Sequence, residues 1–311
     1  MNKTKQLRYV FHWVEHCNMC GDETSRHKVL GQRLNQSQGK NPTNKKGITT
    51  TIAKCTNCGL IYSNPQPIPV DLQDHYGIPP EEYWSNEYFQ IEESYFKNEI
   101  ATIKRLIDFK PGLKALDIGA GLGKCMIALE KAGFDVYGIE PSIPFHERAL
   151  SKMGIREDKL QCAMLENASF TENHFDFITF SVVLEHLYDP SAAIVKALSW
   201  LKPNGILHIE VPSADWLMNK LINFFYSVRN LNYVGNLSPM HEPYHLYEFG
   251  LKSFQEHGKK NNYDIAFHEY YICPTFTPGV VDKVLRYYMG KTNTGMQLCV
   301  WLRKSKGPNN G

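Results

Sequence analysis

From residue 113 onward, short apolar runs alternate with segments in which apolar residues recur every three or four positions. The short runs predict strands at 113–118, 136–140, 160–164, 175–181 and 206–211. The recurring segments predict helices at 122–132, 145–153 and around 194–201. A regular alternation of strand and helix is typical of a parallel sheet with helices on both faces. The pattern therefore predicts an α/β fold with a doubly wound sheet.

After residue 212 this alternation stops, and residues 213–249 form a long insertion. The pattern then predicts a helix, a strand, a helix and a strand, in that order, at 251–259, 263–271, 277–288 and 297–303. This order would close the sheet with an antiparallel pair. We therefore expect residues 111–311 to form one domain that carries the insertion and has an antiparallel last strand.

Two smaller units precede this domain. Apolar residues at 96, 100, 103 and 107 lie at helical spacing, and the stretch 75–89 before them is rich in aromatic side chains. We expect residues 70–110 to form a cap over the cofactor cleft, with three candidates for ligand contact: Tyr76, Tyr83 and Tyr88. The alternative is that these aromatic side chains only pack. The first unit, residues 1–69, ends in a proline-rich connector.

The first unit holds two Cys-x-x-Cys pairs, each followed by glycine. One pair provides two thiolates from a tight turn, and two such turns complete the tetrahedral ligand set of a structural zinc ion. The predicted metal is therefore Zn²⁺, with these ligands: Cys17, Cys20, Cys55 and Cys58. The other cysteines lie in apolar or strand-like contexts and are expected in the core: Cys125, Cys162, Cys273 and Cys299.

Charge is uneven along a chain whose net charge is only +2. Residues 1–60 hold ten Lys and Arg against three Asp and Glu, a surplus of seven positive charges that leaves the remaining residues at −5. Such a basic unit suits a phosphate or an acidic partner, and it equally suits a plain solvated surface. The sequence shows no apolar leader and no run of membrane-spanning length. Together with thiols arranged for a metal, this leads us to expect a cytoplasmic protein.

The segment 115–124 combines a short apolar strand, a glycine turn and the start of a helix. Gly119, Gly121 and Gly123 let the backbone approach a ligand closely, and the free N–H groups at the helix start suit an anionic or polar group. Asp117 adds a carboxylate, which attracts an ammonium but does nothing for a dinucleotide pyrophosphate. S-adenosylmethionine (SAM) carries an ammonium, a carboxylate and a ribose. The segment therefore predicts SAM, rather than NAD, as the cofactor.

Four elements in order resemble class I SAM-dependent methyltransferases, whose fold is Rossmann-like. They are the glycine motif at 116–123, Glu140 at the end of the second strand, the fourth-strand motif at 175–187 and the turn at 201–205. The resemblance covers residues 113–211. It implies that the chain is an enzyme of this class.

The resemblance also implies roles for individual residues. Asp117 would position the methionine part of SAM, and Glu140 would accept from both ribose hydroxyls. The family often has an Asp after strand three that meets adenine, and the corresponding place here is apolar. Met164 and Leu165 are expected at the adenine. Ser181, Val182 and Val183 are expected at the methyl group.

The two ends of the chain indicate a particular group within this class. A four-cysteine unit, an aromatic linker, the core and a carboxy-terminal extension are similar to bacterial nucleotide-sugar C-methyltransferases, in which a His after strand five is the proposed base. The matching segment is 244–249, which makes His245 the candidate base, although Tyr244 stands where an acid is expected. A purely structural role for His245 is the alternative. His186, just beyond strand four, is the second candidate for catalysis.

The predicted function is therefore methyl transfer from SAM to a small-molecule or glycan acceptor, such as a sugar or nucleotide sugar, at carbon or oxygen. One alternative is an RNA methyltransferase that grips phosphates with the basic unit, but no clear basic-aromatic face favours nucleic acid. A second alternative is a non-catalytic SAM-binding scaffold, which Asp117 and Glu140 argue against. The acceptor atom and the oligomeric state stay open.

Overall fold

The computed structural model describes residues 9–37, 39, 47–71, 86–275 and 277–305. Tyr76 and Tyr83 lie outside these residues. The first unit contains five strands: β1 (Tyr9–His12), β2 (Lys28–Leu34), β3 (Thr49–Lys54), β4 (Ile61–Ser63) and β5 (Gln66–Pro69). β1 pairs with β5, and β2, β3 and β4 form an antiparallel sheet.

The remaining strands are β6 (Lys114–Ile118), β7 (Asp135–Ile139), β8 (Leu160–Gln161), β9 (Phe175–Ser181), β10 (Leu201–Pro212), β11 (Tyr247–Glu248), β12 (Tyr263–Tyr271) and β13 (Gln297–Lys304). The α-helices are α1 (Lys97–Leu106), α2 (Lys124–Lys131), α3 (Ile143–Met153), α4 (Pro190–Trp200), α5 (Leu217–Val228), α6 (Leu251–Asn261) and α7 (Gly279–Thr292).

The central sheet has seven strands in the order β12-β13-β10-β9-β6-β7-β8. The five strands from β10 to β8 are parallel, whereas β13 runs antiparallel to both β10 and β12. The predicted doubly wound sheet with an antiparallel last strand is therefore confirmed. Because the chain leaves β8 at one edge and returns to β9 beside β6, the loops after β6 and β9 meet at a topological switch point, where such sheets bind ligands.

Two predicted boundaries are wrong. The third strand was expected at 160–164 but ends at Gln161, because the chain turns away from β7 after two paired residues. The expected turn at 202–205 lies inside β10, which begins at Leu201 directly after α4. The pairing of β10 with β9 shifts register between Leu201 and Ile206, so the strand absorbs the turn as an irregularity.

The insertion between β10 and α6 completes the small sheet of the first unit. β11 pairs with β4, which gives a four-stranded sheet in the order β11-β4-β3-β2. Glu248 on β11 is buried, and its Oε1 accepts from Asn219 Nδ2 at 3.2 Å and from the Leu237 backbone N at 3.0 Å. The insertion is thus folded around this carboxylate and is joined to the cysteine unit through backbone pairing.

One hydrophobic core runs through both sheets. Leu60 and Tyr62 of the small sheet belong to the same buried cluster as Phe180 and Val211 of the central sheet and Phe254 of α6. The cysteine unit is therefore packed directly against the carboxyl-end side of the domain, beside the switch point. Among the described residues, no helix is long and apolar enough to cross a membrane.

Candidate active site

The glycine turn after β6 forms one wall of the site. Gly119, Gly121 and Gly123 all have positive φ values, of 76°, 55° and 77°. A Cβ on Gly119 would lie 2.5 Å from Val183 Cγ2, and one on Gly123 would lie 2.6 Å from Ile155 Cγ1. A Cβ on Gly121 would meet no atom within 4 Å. The outer two glycines therefore permit close packing, while Gly121 borders open space.

Glu140 follows β7 and faces this turn. Its Oε2 accepts the Gly121 backbone N–H at 2.7 Å, and its Oε1 accepts the Ser142 backbone N–H at 2.7 Å. Burial raises the pKa of Glu140, and the two backbone hydrogen bonds oppose that rise. A carboxylate has about four acceptor positions, so each oxygen keeps one for a further donor. This arrangement fits a pair of neighbouring hydroxyls, such as those of a ribose.

Asp117, the other predicted acid, lies beneath the turn and does not line the cavity. It is 2% exposed, the Cys125 thiol hydrogen-bonds to it, and its Oδ2 has no hydrogen-bond partner among the described residues. Burial and the nearby Glu140 raise the pKa of Asp117 to about 7. An orphaned buried oxygen of this kind fits a cationic group bound above the turn.

A cavity of about 510 Å³ opens over the carboxyl ends of the parallel strands, a size typical of small-molecule sites. Its lining includes most of the residues expected from the sequence: Gly119, Gly121, Glu140, Met164, Leu165, Val182, Val183, His186 and His245, together with Tyr88. Gly123 and Ser181 do not line it. Further lining residues that were not predicted include Pro141, Ser142, Phe145, Glu166, Tyr188, Glu242, Pro243 and Tyr244.

The loop after β9 is strained where it borders the cavity. Val182 has a φ of 58°, which is rare for a β-branched residue and costs about 1–3 kcal/mol. Its backbone N donates to the Glu210 carbonyl at 3.0 Å, and the Ser181 hydroxyl donates to Glu210 Oε2 at 3.1 Å. These bonds to β10 hold the strained residue, so that Val182 and Val183 are presented to the cavity.

Two histidines meet at one end of the cavity. The rings of His186 and His245 are 4.9 Å apart between centroids and are arranged edge to face. Glu185 lies beside both rings; it is fully buried, and its Oε1 is 3.7 Å from His245 Nε2 and 4.0 Å from His186 Nε2. Neither carboxylate oxygen of Glu185 has a hydrogen-bond partner among the described residues. Glu185 was not predicted from the sequence; the signal that could have identified it is its position directly before His186.

Burial sets the protonation states of Glu185 and His245. It raises the pKa of Glu185 to about 8. Contact with the residue's own backbone N–H opposes that rise, and the charge of Glu210 adds to it. Burial and the neighbouring His186 lower the pKa of His245 to about 3. His245 is therefore a neutral imidazole near pH 7 and keeps a lone pair with which it can take up a proton.

The four predicted zinc ligands lie together at the base of the small sheet. All four sulfur atoms are within 4.8 Å of one another, with Cys17 Sγ and Cys58 Sγ 3.5 Å apart and Cys20 Sγ and Cys55 Sγ 3.5 Å apart. Four thiolates at about 2.3 Å from a tetrahedral Zn²⁺ lie about 3.8 Å from each other, so the donor set fits this ion.

The expectation that the four other cysteines are core residues holds only in part. Cys125 and Cys299 are buried, whereas Cys162 is exposed and Cys273 is half-buried. The predicted third strand would have placed Cys162 within the sheet. Because that strand stops at Gln161, the next side chain is left at the surface.

Comparison with known proteins agrees with this geometry. The sequence profile of the methyltransferase-domain family matches residues 91–266, more than half of the chain, so the chain belongs to this family. The fold is similar to that of a chain from the complex between the Haloferax volcanii Trm112 methyltransferase activator and a methyltransferase, with a TM-score of 0.51 and 14% identity. The superposition covers 77% of this chain and 100% of the other. The chain therefore carries a methyltransferase domain.

Curated relatives are similar over part of their length. The ubiquinone biosynthesis O-methyltransferase of Bradyrhizobium diazoefficiens is 28% identical over 111 residues, which are 34% of this chain and 42% of that protein. Phosphoethanolamine N-methyltransferase 2 of Caenorhabditis elegans is 29% identical over 133 residues, which are 42% of this chain and 30% of that protein. The chain thus spans less than half the length of these two relatives.

Proposed function

We propose that this enzyme transfers a methyl group from SAM to a hydroxyl oxygen or an acidic carbon of a small-molecule or glycan acceptor. One observation carries the proposal: His186 and His245 stand on the wall of the same cavity as Gly121 and Glu140. A candidate cofactor site and a proton-accepting group therefore share one cavity.

In this proposal Glu140 binds the ribose, Met164 and Leu165 contact the adenine, and the charge of Asp117 lies beneath the ammonium. SAM supplies a methyl group that is already activated for transfer. The chain's own residues then have two tasks, which are to orient the acceptor and to remove its proton. Holding two reactants in the correct geometry contributes much of the rate in reactions of this kind.

His245 is the proposed base. It is neutral because burial and His186 lower its pKa to about 3, and it lines the cavity. A positioned imidazole that accepts a proton during bond formation contributes about 10²–10⁴-fold to a rate. His186 lines the same end of the cavity and is the second candidate.

The cavity lining bears on the class of acceptor. It carries the acids Glu140, Glu166 and Glu242, and no Lys or Arg is found among its described residues. Glu140 is assigned to the ribose, so Glu166 and Glu242 are the acids that would repel a further anionic group on the acceptor. The rings of Tyr88, Tyr188 and Tyr244 suit a neutral ring with hydroxyl groups. A neutral hydroxylated ring such as a sugar therefore suits the cavity, and the diphosphate of a nucleotide sugar would lie outside it.

The test is a screen with methyl-labelled SAM against free sugars, nucleotide sugars, lipid-linked glycans, amines and RNA. We expect label in a sugar-containing acceptor. His245→Ala should reduce single-turnover transfer by at least about 100-fold, while His268→Ala, at an exposed position of β12, should not. Label only in an amine or in RNA would contradict the proposed acceptor class. Full transfer by His245→Ala would remove its role as base.

We also propose that the four-cysteine group binds a structural Zn²⁺. All four cysteines are buried, and the sulfur spacing fits the ion. Such a site has a closed ligand shell and does no chemistry itself. Its role would be to hold the small sheet that packs beside the cavity.

A further inference from the structure

We infer that Glu185 is a positioning residue that accepts the Nε2–H of His245 and stabilises the imidazolium formed when His245 takes the acceptor's proton. This inference rests on the proposed function. It concerns how the base is oriented, and it assigns a role to a buried carboxylate that the methyl-transfer scheme otherwise leaves unused.

The first observation is that the carboxylate of Glu185 is fully buried without a hydrogen-bond partner from another described residue. The residue has 0% exposure. More than about 90% of buried polar groups in native proteins have a partner. A fully buried carboxylate that lacks one indicates a group kept for a task rather than for stability.

The second observation is the position of His245. Its Nε2 lies 3.7 Å from Glu185 Oε1, and the Leu246 backbone N donates to the Glu185 carbonyl at 2.9 Å. The backbone bond ties the segment that carries the base to the loop that carries the acid. The 3.7 Å separation is longer than a hydrogen bond, and such contacts commonly tighten once a substrate is bound.

Among the residues that the structure describes, few other charges face Glu185. His186 lies in its own turn at 4.0 Å, and Glu210 reaches it from β10. On β11, Glu248 is turned toward Asn219 and Asn236. On the α4 side, Asp189 accepts from the Ala192 backbone N at the helix start. His245 is thus the nearest group that can become positively charged when the acceptor loses its proton.

This geometry assigns the two ring nitrogens. Because Nε2 faces Glu185, Nδ1 is the nitrogen that is left to take the acceptor's proton. As that proton moves to Nδ1, the acceptor's electron pair forms the bond to the methyl carbon, and the pair of the broken carbon–sulfur bond stays on sulfur. The imidazolium and the carboxylate then form a neutral pair, and the extra proton leaves from Nδ1 to water.

The decisive comparison uses Glu185→Gln, which keeps the shape and removes the charge, with Glu172→Gln at an exposed position as the matched control. We expect an unchanged SAM affinity and a single-turnover rate constant that falls about 100-fold or more. The double variant Glu185→Gln/His245→Ala should be no slower than His245→Ala, since the carboxylate acts through the imidazole. A double variant slowed by the product of both effects would overturn the inference.

A pH profile separates positioning from a structural role. Burial raises the pKa of Glu185 to about 8, so the wild-type rate constant should rise with pH through about 8 as the carboxylate ionises. Glu185→Gln should lose this rise. A variant that instead loses SAM affinity and thermal stability, with the rise retained, would show that Glu185 only supports the fold.

A third measurement needs no acceptor. Imidazole ¹⁵N spectra at pH 9 should show His245 protonated at Nε2, and the signal is assigned by its loss in His245→Ala. Protonation at Nδ1 would contradict the inference. A second contradicting result would be a wild-type reaction that needs added Mn²⁺ and a Glu185→Gln reaction that does not. Glu185, His186 and His245 would then be metal ligands. If no acceptor is methylated at all, the proposed function fails while the tautomer still reports on Glu185.

Discussion

The carboxylate of Glu140 accepts the backbone N–H of Gly121 at 2.7 Å, which ties the end of β7 to the glycine turn after β6. Both residues border the cavity, and Ser142 holds the other carboxylate oxygen from the opposite side. The acid is therefore fixed before any ligand arrives. A preorganised acceptor loses little conformational entropy on binding.

Replacing Glu140 should lower the affinity for SAM. Glu140→Gln keeps one acceptor oxygen but loses the charge and one of the two backbone bonds, so we expect SAM affinity to fall about 10- to 100-fold, the loss of one to two hydrogen bonds to a charged group. Calorimetric titration of SAM measures this. Glu147→Gln, at an exposed position of α3, is the control, and equal affinity in both variants would exclude Glu140 from the site.

Gly119→Ala should destabilise the protein for two reasons, which are the positive φ of the backbone and a steric contact with Val183. Gly119 and Gly154 have similar φ values, of 76° and 71°, but an added Cβ would lie 2.5 Å from Val183 Cγ2 at Gly119 and would meet nothing within 4 Å at Gly154. Both variants carry about 1–2 kcal/mol of backbone strain, and overpacking adds about 1–3 kcal/mol at Gly119. Urea unfolding should show the larger loss for Gly119→Ala, and equal losses would mean that Val183 yields without cost.

The zinc proposal predicts a difference between two cysteine variants. Cys55→Ser should abolish stoichiometric zinc and lower the melting temperature, because Cys55 is buried in the four-sulfur cluster. Cys162→Ser, at an exposed cysteine, should keep both. Elemental analysis and thermal unfolding of the purified proteins provide the measurement. A wild-type protein without bound metal would show that the cluster is a group of packed thiols.

His208 should make the protein acid-sensitive. It is fully buried, its Nδ1 is 2.9 Å from Thr179 Oγ1, and burial lowers its pKa to about 3. The unfolded chain binds the proton near pH 6.5 and the folded chain does not, so stability is lost as the pH falls below 6.5. Relative to His208→Gln, the wild type should lose about 1.4 kcal/mol per pH unit there.

Denaturant unfolding at pH 7.5 and pH 5.5 tests this linkage. The free energy of unfolding of the wild type should drop by about 1.4 kcal/mol more than that of His208→Gln between these values. His268→Gln, at an exposed position, should follow the wild type. If the two His variants behave alike, His208 is not the group that titrates.

The sequence predicted the sheet well because alternating apolar runs report directly on strands and helices that bury one face. That alternation predicted the doubly wound sheet and the antiparallel pair that closes it. The candidate role of Glu140 came from the family resemblance, and the structure shows this residue bonded to the glycine turn. The boundaries at 160–164 and 202–205 failed, because pairing with a neighbouring strand decides where a strand ends, and local apolarity does not.

The residues of the candidate site divide in the same way. Local sequence identified the glycine turn and the two cysteine pairs, because each depends on residues close together in the chain. The family resemblance identified Glu140 as the candidate ribose acid. Only the tertiary structure brought Glu185 to 3.7 Å from His245, residues sixty positions apart, and paired β11 of the insertion with β4 of the cysteine unit. Such contacts depend on how the loops pack across the switch point. The separation of two residues along the chain does not fix their distance there, so only the packing of the folded chain determines which side chains meet.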